Sequence, residues 1–310
     1  MYFPYLRGRQ FELIALRELL EKELIGNKVI PVIEPIKPTS TLVKTLNLFS
    51  RKNHLHALIM NPEVGKFVST VKEKEKEKDL IIDDLFSELK KPSLIKAYIM
   101  KKNISNMLEG KESLTQFMIV NPKRDCLDEY IKVYKDIEPR YSLIPDDRSF
   151  GRKAKKSKVI FCDRFKKSTR NVDYLDNDDE FFSEDHLYFD TEGFNGFSDY
   201  SVVGSEYSES GFAPLAVAIH IVYFDKDKVL RVHHFVSDSN DDINDPAGKF
   251  GEAVEKLVRW IKENKVVITV GLRELIDCYE SGKYPGLGTV KKYSIMHHLE
   301  LMNKFLEGEI

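Results

Sequence analysis

Residues 2–20, YFPYLRGRQFELIALRELL, and residues 28–46, KVIPVIEPIKPTSTLVKTL, share one grammar. In each, a short apolar run ends on a charged residue, Arg7 or Glu34, and an amphipathic segment follows. Leu13, Leu16, Leu20 and Leu24 step by three and four, which places them on one face of a helix, and Gly26 follows as a stop signal. In the second copy Thr39 or Ser40 can cap the helix. Strand followed by helix, repeated at short spacing, is the pattern of a parallel sheet covered by helices.

The pattern continues through LHALIMNP (55–62), LIKAYIM (94–100), TQFMIVNP (115–122), RYSLIPDD (140–147) and KVIFCDRF (158–165). Together these predict strands starting near positions 2, 29, 56, 95, 117, 141 and 158, with CLDEYIKVYKDI (126–137) as one of the intervening helices. Seven such strands, with an eighth further on, favour an irregular (β/α)8 TIM-like barrel, an α/β fold, over an open doubly wound sheet. The irregularity is expected at RSFGRKAKKS (148–157), which is too polar and too short for a packing helix; whether 141–165 supplies one barrel strand or two is open. The Lys–Glu alternation in VKEKEKEKD (71–79) reads as a solvated face, and 66–92 as an insertion. After residue 193 the chain becomes rich in Gly, Ser and aromatic residues. LAVAIHIVYF (215–224), DKDK and VLRVHHFVS (229–237) then read as a C-terminal β-hairpin, followed by helices. The expected organisation is a single domain over 1–310, with the hairpin and helices of 193–310 completing the barrel.

The bulk numbers limit the function classes. The 310 residues are 42% hydrophobic and 32% charged, with net charge −2. That balance lacks the overall basic footprint of a nucleic-acid-binding protein. Three cysteines, odd in number and far apart, exclude a disulfide framework and fit a reducing cytoplasm. No signal peptide and no apolar run of membrane-spanning length is visible, so a cytoplasmic location without membrane contact is expected.

In a barrel of this kind ligands bind where the strand C-termini emerge. The polar residues at or just past the strand ends are Arg7, Glu34, Asn61, Lys101, Asn121, Asp146 with Asp147, and Asp163 with Arg164. Several stand beside a proline, which ends the hydrogen-bond ladder and frees the neighbouring side chain. Asn and Asp at such places also simply start turns and cap helices. Glu34 with Asp146 or Asp163 would suit general acid–base work, and the carboxylate-rich set would suit a hard cation such as Mg²⁺. No motif fixes a metal or cofactor. His220 becomes a proton-transfer candidate if its strand face lines the barrel beside Asp199. The adjacent pairs His233–His234 and His297–His298 read as structural or surface residues.

Charge is segregated along the chain. Between Arg152 and Arg170 lie nine Lys or Arg and one acid, Asp163, whereas Asn171–Asp225 holds no Lys or Arg and thirteen Asp or Glu. Arg152, Lys153, Lys155, Lys156, Lys158 and Arg164 form a strip suited to phosphate or nucleic acid. The competing reading is an internal ion-pair belt between the two runs. Sparse interleaved aromatics leave nucleic acid the less favoured partner.

The stretches YFPYLRGRQFELIALREL, VIPVIEPI, GFSDYSVVG, APLAVAIHIVYF and HHFVSD resemble the beta-protein family of bacterial and phage-encoded proteins, whose function is not established. The resemblance covers most of the chain and is most specific over 193–237. Its start, second-strand and later motifs fall on Tyr2, Pro4, Leu6 and Arg7, on Pro31 and Glu34, and on Asp199 and Tyr200. It implies a barrel-like domain and a setting in mobile elements or antiphage defence, and it adds Asp199 and Tyr200 to the site candidates. The resulting expectation is a barrel protein that binds or hydrolyses a phosphorylated ligand, by metal-assisted hydrolysis if it is an enzyme. The alternatives are a non-catalytic sensor or scaffold for a protein partner encoded nearby, and a nucleic-acid-binding component acting through 152–170.

Overall fold

The structure is a computed structural model and describes residues 1–110, 113–209 and 215–310. In chain order its main elements are β1 (Tyr5–Leu6), α1 (Gln10–Glu21), β2 (Val32–Ile33), α2 (Ser40–Arg51), β3 (His56–Ile59), α3 (Phe67–Lys76), α4 (Leu80–Glu88) and β4 (Leu94–Ile99). Then come α5 (Ile104–Leu108), β5 (Met118–Val120), α6 (Leu127–Tyr134), β6 (Tyr141–Ile144), α7 (Arg148–Lys153) and β7 (Lys158–Phe161). The remainder is β8 (Asp179–Ser183), α8 (Asp185–Tyr188), β9 (Gly196–Ser198), β10 (Ala218–Phe224), β11 (Leu230–Val236), α9 (Pro246–Glu263), α10 (Val270–Ser281) and α11 (Leu287–Glu307). These elements fall into two compact units. One holds Met1–Leu13, Gly26–Asp163 and Asp185–Tyr200, and the other Ile14–Ile25, Arg164–Glu184 and Ser201–Ile310, so the division runs through α1.

The first unit is an α/β barrel of the (β/α)8 kind. Eight strands pair in parallel in the order β1-β2-β3-β4-β5-β6-β7-β9. The ring closes through a parallel bridge between Tyr2 and Phe197. Backbone hydrogen bonds from Phe3 to Phe197 (2.8 Å) and from Tyr5 to Asp199 (2.9 Å) support it. Gly196 permits that closure, since a Cβ there would collide with the carbonyl of Met1.

Side chains alternate across a strand, and here the two parities separate two cores. Phe3, Tyr5, Val32, Ala57, Ile59, Ala97, Ile99, Val120, Leu143 and Phe161 fill the barrel interior. Residues of the other parity, such as Tyr98, Met100, Ile119 and Ile144, pack outward with Ile104, Tyr130, Tyr134 and Phe150 of α5–α7. Both β6 and β7 are barrel strands. The link between them, read from its composition as lacking a packing helix, does hold one: α7 is six residues long, capped by Asp147 and packed into the outer core through the fully buried Phe150. Thr39 caps α2, accepting from the N–H of Leu42.

One expectation needs correction: the hairpin does not supply the closing strand. GFS at 196–198 does, a stretch whose Gly and Ser content hides its strand character. Residues 66–92 supply α3 and α4, the connection between β3 and β4, with Ile82 and Leu85 of α4 buried and Leu80 exposed beside the Lys–Glu run.

In the second unit, β10, β11 and β8 form an antiparallel sheet in the order β10-β11-β8. The hairpin turns at Asp225, whose carboxylate accepts the N–H groups of Asp227 and Val229. Helices α9 and α11 pack on the hairpin strands, and α10 packs on α11. Trp260 of α9 lies against Tyr223, His233 and Phe235. Of the stretch 193–237, residues 210–214 lie outside the described residues.

Candidate functional site at the barrel rim

The last inward-facing residues of β1, β2, β3, β4, β7 and β9 are Tyr5, Val32, Ile59, Ile99, Phe161 and Ser198. Two residues beyond each stands a polar one: Arg7, Glu34, Asn61, Lys101, Asp163 and Tyr200. The period of a strand is two, so the same parity that builds the interior core directs this set to the C-terminal end of the barrel. Asn121 and Asp146 stand one and three residues past Val120 and Leu143, on the opposite parity.

The contacts follow this division. The Glu34 side chain is 0% exposed and carries three donors. These are the Tyr5 hydroxyl (2.8 Å), the backbone N–H of Glu63 (2.7 Å) and the Arg7 guanidinium. Burial works against the charge of Arg7, but Glu34, Tyr5 and Tyr200 together outweigh it and hold the guanidinium protonated above its ordinary range. The guanidinium also lies over two rings, 5.6 Å from the centre of Tyr5 and 5.3 Å from that of Tyr200. Those rings are 5.0 Å apart, and Phe161 packs against both. Burial and the charge of Glu34 push the Tyr5 phenol well above its usual value. Burial likewise raises Tyr200, opposed by Arg7 and assisted by Glu34, Asp163 and Glu63. Arg7, Tyr5, Glu34, Tyr200, Asp163 and Glu63 therefore form one electrostatic cluster.

Gly8 makes the approach between Arg7 and Glu34 feasible. It adopts φ +62°, and a Cβ would come within 3.0 Å of the Glu34 carbonyl oxygen. The Arg-Gly pair thus turns the chain out of β1 directly beside the end of β2.

The other candidates are placed differently. Asn61 is consumed in the barrel wall, its side chain donating to the carbonyl of Ile99 and accepting from the N–H of Ile99. Asn121 is fully buried and donates to the Leu143 carbonyl, another extension of the ladder. Asp146 is exposed, and its neighbour Asp147 caps α7. Lys101 and Asp163 are exposed. Asp199 accepts from the Tyr2 hydroxyl at 2.8 Å, on the outward parity with Phe197. Among the described residues no group of three or more His, Cys, Asp or Glu is placed to hold a metal ion. The carboxylates expected to form a hard-cation site do not assemble into one.

His220 does not line the barrel. It belongs to the antiparallel sheet, and its partner is His234 (2.8 Å between Nδ1 atoms) where Asp199 was expected. Cross-strand register brings the two together, a relation invisible along the sequence. His297 and His298 are buried and structural, as expected. His297 hydrogen-bonds Thr269 and the Val222 carbonyl, and His298 pairs with Ser201.

The basic strip is split. Arg152, Lys153, Lys155 and Lys156 are exposed, and Lys158 lies 5.0 Å from the ring of Phe194. Arg164 belongs to the second unit. There Lys166 pairs with Glu180 (2.8 Å), Lys167 with Glu206 (3.2 Å) and Arg170 with Asp173 (2.7 Å). These pairs realise part of the internal ion-pair belt. Sequence reasoning missed Tyr5, Glu63, His234 and Glu180. Tyr5 was recoverable, since it shares the inward parity of Arg7, but Glu63 reaches Glu34 through its backbone N–H, a contact that leaves no signal in the sequence.

Fold and site together define the class: an α/β-barrel protein with an appended three-stranded antiparallel sheet. No family model, no curated protein and no solved structure matches the chain. No helix among the described residues is long and apolar enough to cross a membrane.

Proposed function

We propose that the C-terminal end of the barrel binds a small ligand bearing a phosphate group, with Arg7 as the anion contact and the Tyr200 phenol beside it. One observation carries this reading: a carboxylate with no solvent exposure is paired with a guanidinium only 13% exposed, which lies over two neighbouring tyrosine rings at the end of the barrel where such folds bind ligands. A buried ion pair is a poor source of stability, because desolvating both ions offsets most of their attraction. Its presence there is better accounted for by the work it does. Glu34 and the rings fix the guanidinium in one orientation, so that its charge is presented to an incoming anion without reorganisation. Lys101 is a second cation two residues past the inward end of β4.

In this reading Glu34 is a positioning residue, saturated by three donors, and chemistry on the ligand falls to exposed groups such as Asp163. The resemblance to a family found in mobile elements supports a role in such a module or in antiphage defence. The binding claim is tested by ³¹P NMR titration with inorganic phosphate and with adenosine monophosphate. Saturable shifts in the wild type that vanish in Arg7→Met support it; identical responses in the two proteins, or no response to either probe, overturn it.

A further inference from the structure

The second unit holds a polar constellation that the barrel site does not use. His234 is buried, with its Nδ1 2.8 Å from Nδ1 of His220 and its Nε2 3.4 Å from Oε1 of Glu180. The other oxygen of Glu180 accepts from Lys166 (2.8 Å) and Asn177 (3.3 Å). Phe165 and Tyr174 box the imidazoles, with the Tyr174 ring centre 4.7 Å from His220 and 4.4 Å from His234.

This geometry fixes where the protons are. Burial lowers both histidines below their ordinary value, so both are neutral near pH 7. A carboxylate cannot donate, so His234 carries its proton on Nε2 and its Nδ1 is an acceptor. His220 must then donate from Nδ1, which leaves a lone pair on its Nε2. His220 is also part of the wall of a cavity of about 170 Å³ in this unit. The walls include Val202, Val217 and Val290, while Lys291, exposed, and Ser294 contribute polar groups. A cavity of roughly 150 Å³ accommodates a six-membered ring.

We infer that this cavity is a second ligand site, independent of the barrel end, for a small organic anion with an apolar, ring-sized body and a hydroxyl or amine. Lys291 binds the anionic group, the valines contact the body, and Nε2 of His220 accepts from the hydroxyl or amine. Glu180 and His234 are positioning residues that hold His220 in the accepting tautomer.

Two measurements on the full chain test this. The first is ¹⁵N NMR of the imidazoles at pH 7.5: His220 is expected with a protonated Nδ1 and a bare Nε2, and the reverse overturns the assignment. The second is titration with benzoate, benzamide and the three hydroxybenzoates. Benzoate is expected to bind saturably and more tightly than benzamide, and K291M to weaken benzoate by about tenfold or more. At least one hydroxybenzoate is expected to bind better than benzoate by about two- to tenfold, an advantage that H220F removes. Absence of benzoate binding, equal affinity for benzamide, an unaltered affinity in K291M, or no hydroxyl advantage each overturns the site. K291M changes an exposed side chain, so the charge claim can be judged even if H220F does not fold.

Discussion

The barrel end and the antiparallel sheet both bury polar groups, and they do so in opposite ways. At the barrel end the buried groups are ions: Glu34 is enclosed by donors and Arg7 is held charged over two rings. In the second unit the buried imidazoles are neutral: His220 and His234 of the sheet and His297 of α11 are all lowered by burial, His297 to about 4. An ion pair loses most when one partner is removed, because the other is stranded. A neutral imidazole loses when acid forces a proton onto it. The two regions should therefore fail under different insults.

The largest effect expected is from Glu34→Leu, which leaves Arg7 uncompensated and should lower stability by about 3–5 kcal/mol in urea unfolding. A loss under 1 kcal/mol would mean that the guanidinium is solvated, and the contrast with the sheet would collapse. Next comes acid. A histidine lowered in the folded state adds stability that is complete above its ordinary value and is lost as pH falls through the folded value. His297 alone should remove about 2 kcal/mol between pH 7.5 and pH 5. His54 and His56 in the barrel unit act in the same direction, His56 also at about 4 because of burial. Unfolding curves at the two pH values check this, and equal midpoints would contradict it. Gly8→Ala should cost about 1–2 kcal/mol, since the left-handed conformation penalises any Cβ, and the near contact with the Glu34 carbonyl adds to it. A thermal melt within error of the wild type would show that the turn beside Glu34 is loosely held. Smallest is Arg170→Ala, which removes an exposed pair with Asp173 and should leave the urea midpoint almost unchanged. A clear drop in the midpoint would promote the charge belt from surface decoration to a structural element.

The sequence made the barrel end readable for a physical reason. Strand period is local, so the rule of two residues past the last inward position can be counted from Tyr5 to Arg7 or from Val32 to Glu34 without knowing which strands pair. The same count, applied strictly, would have set aside Asn121, Asp146 and Asp199, whose parity is wrong. The closing strand was missed because its hydrogen bonds to Phe3 and Tyr5, not its composition, make it a strand. The dyad of His220 and His234 was missed because it depends on cross-strand register, which sequence spacing does not encode. The presence of His220 in AVAIHIVYF was visible, and its partner was not.

The central claim is that the Arg7–Glu34 pair serves a ligand and not the fold. The most direct measurement is the double variant R7M/E34L, followed by urea unfolding and by ³¹P titration with inorganic phosphate and adenosine monophosphate. The account predicts stability within about 1 kcal/mol of the wild type, or above it, together with loss of the phosphate response. A double variant that is several kcal/mol less stable, or one that still binds either probe as the wild type does, would contradict it.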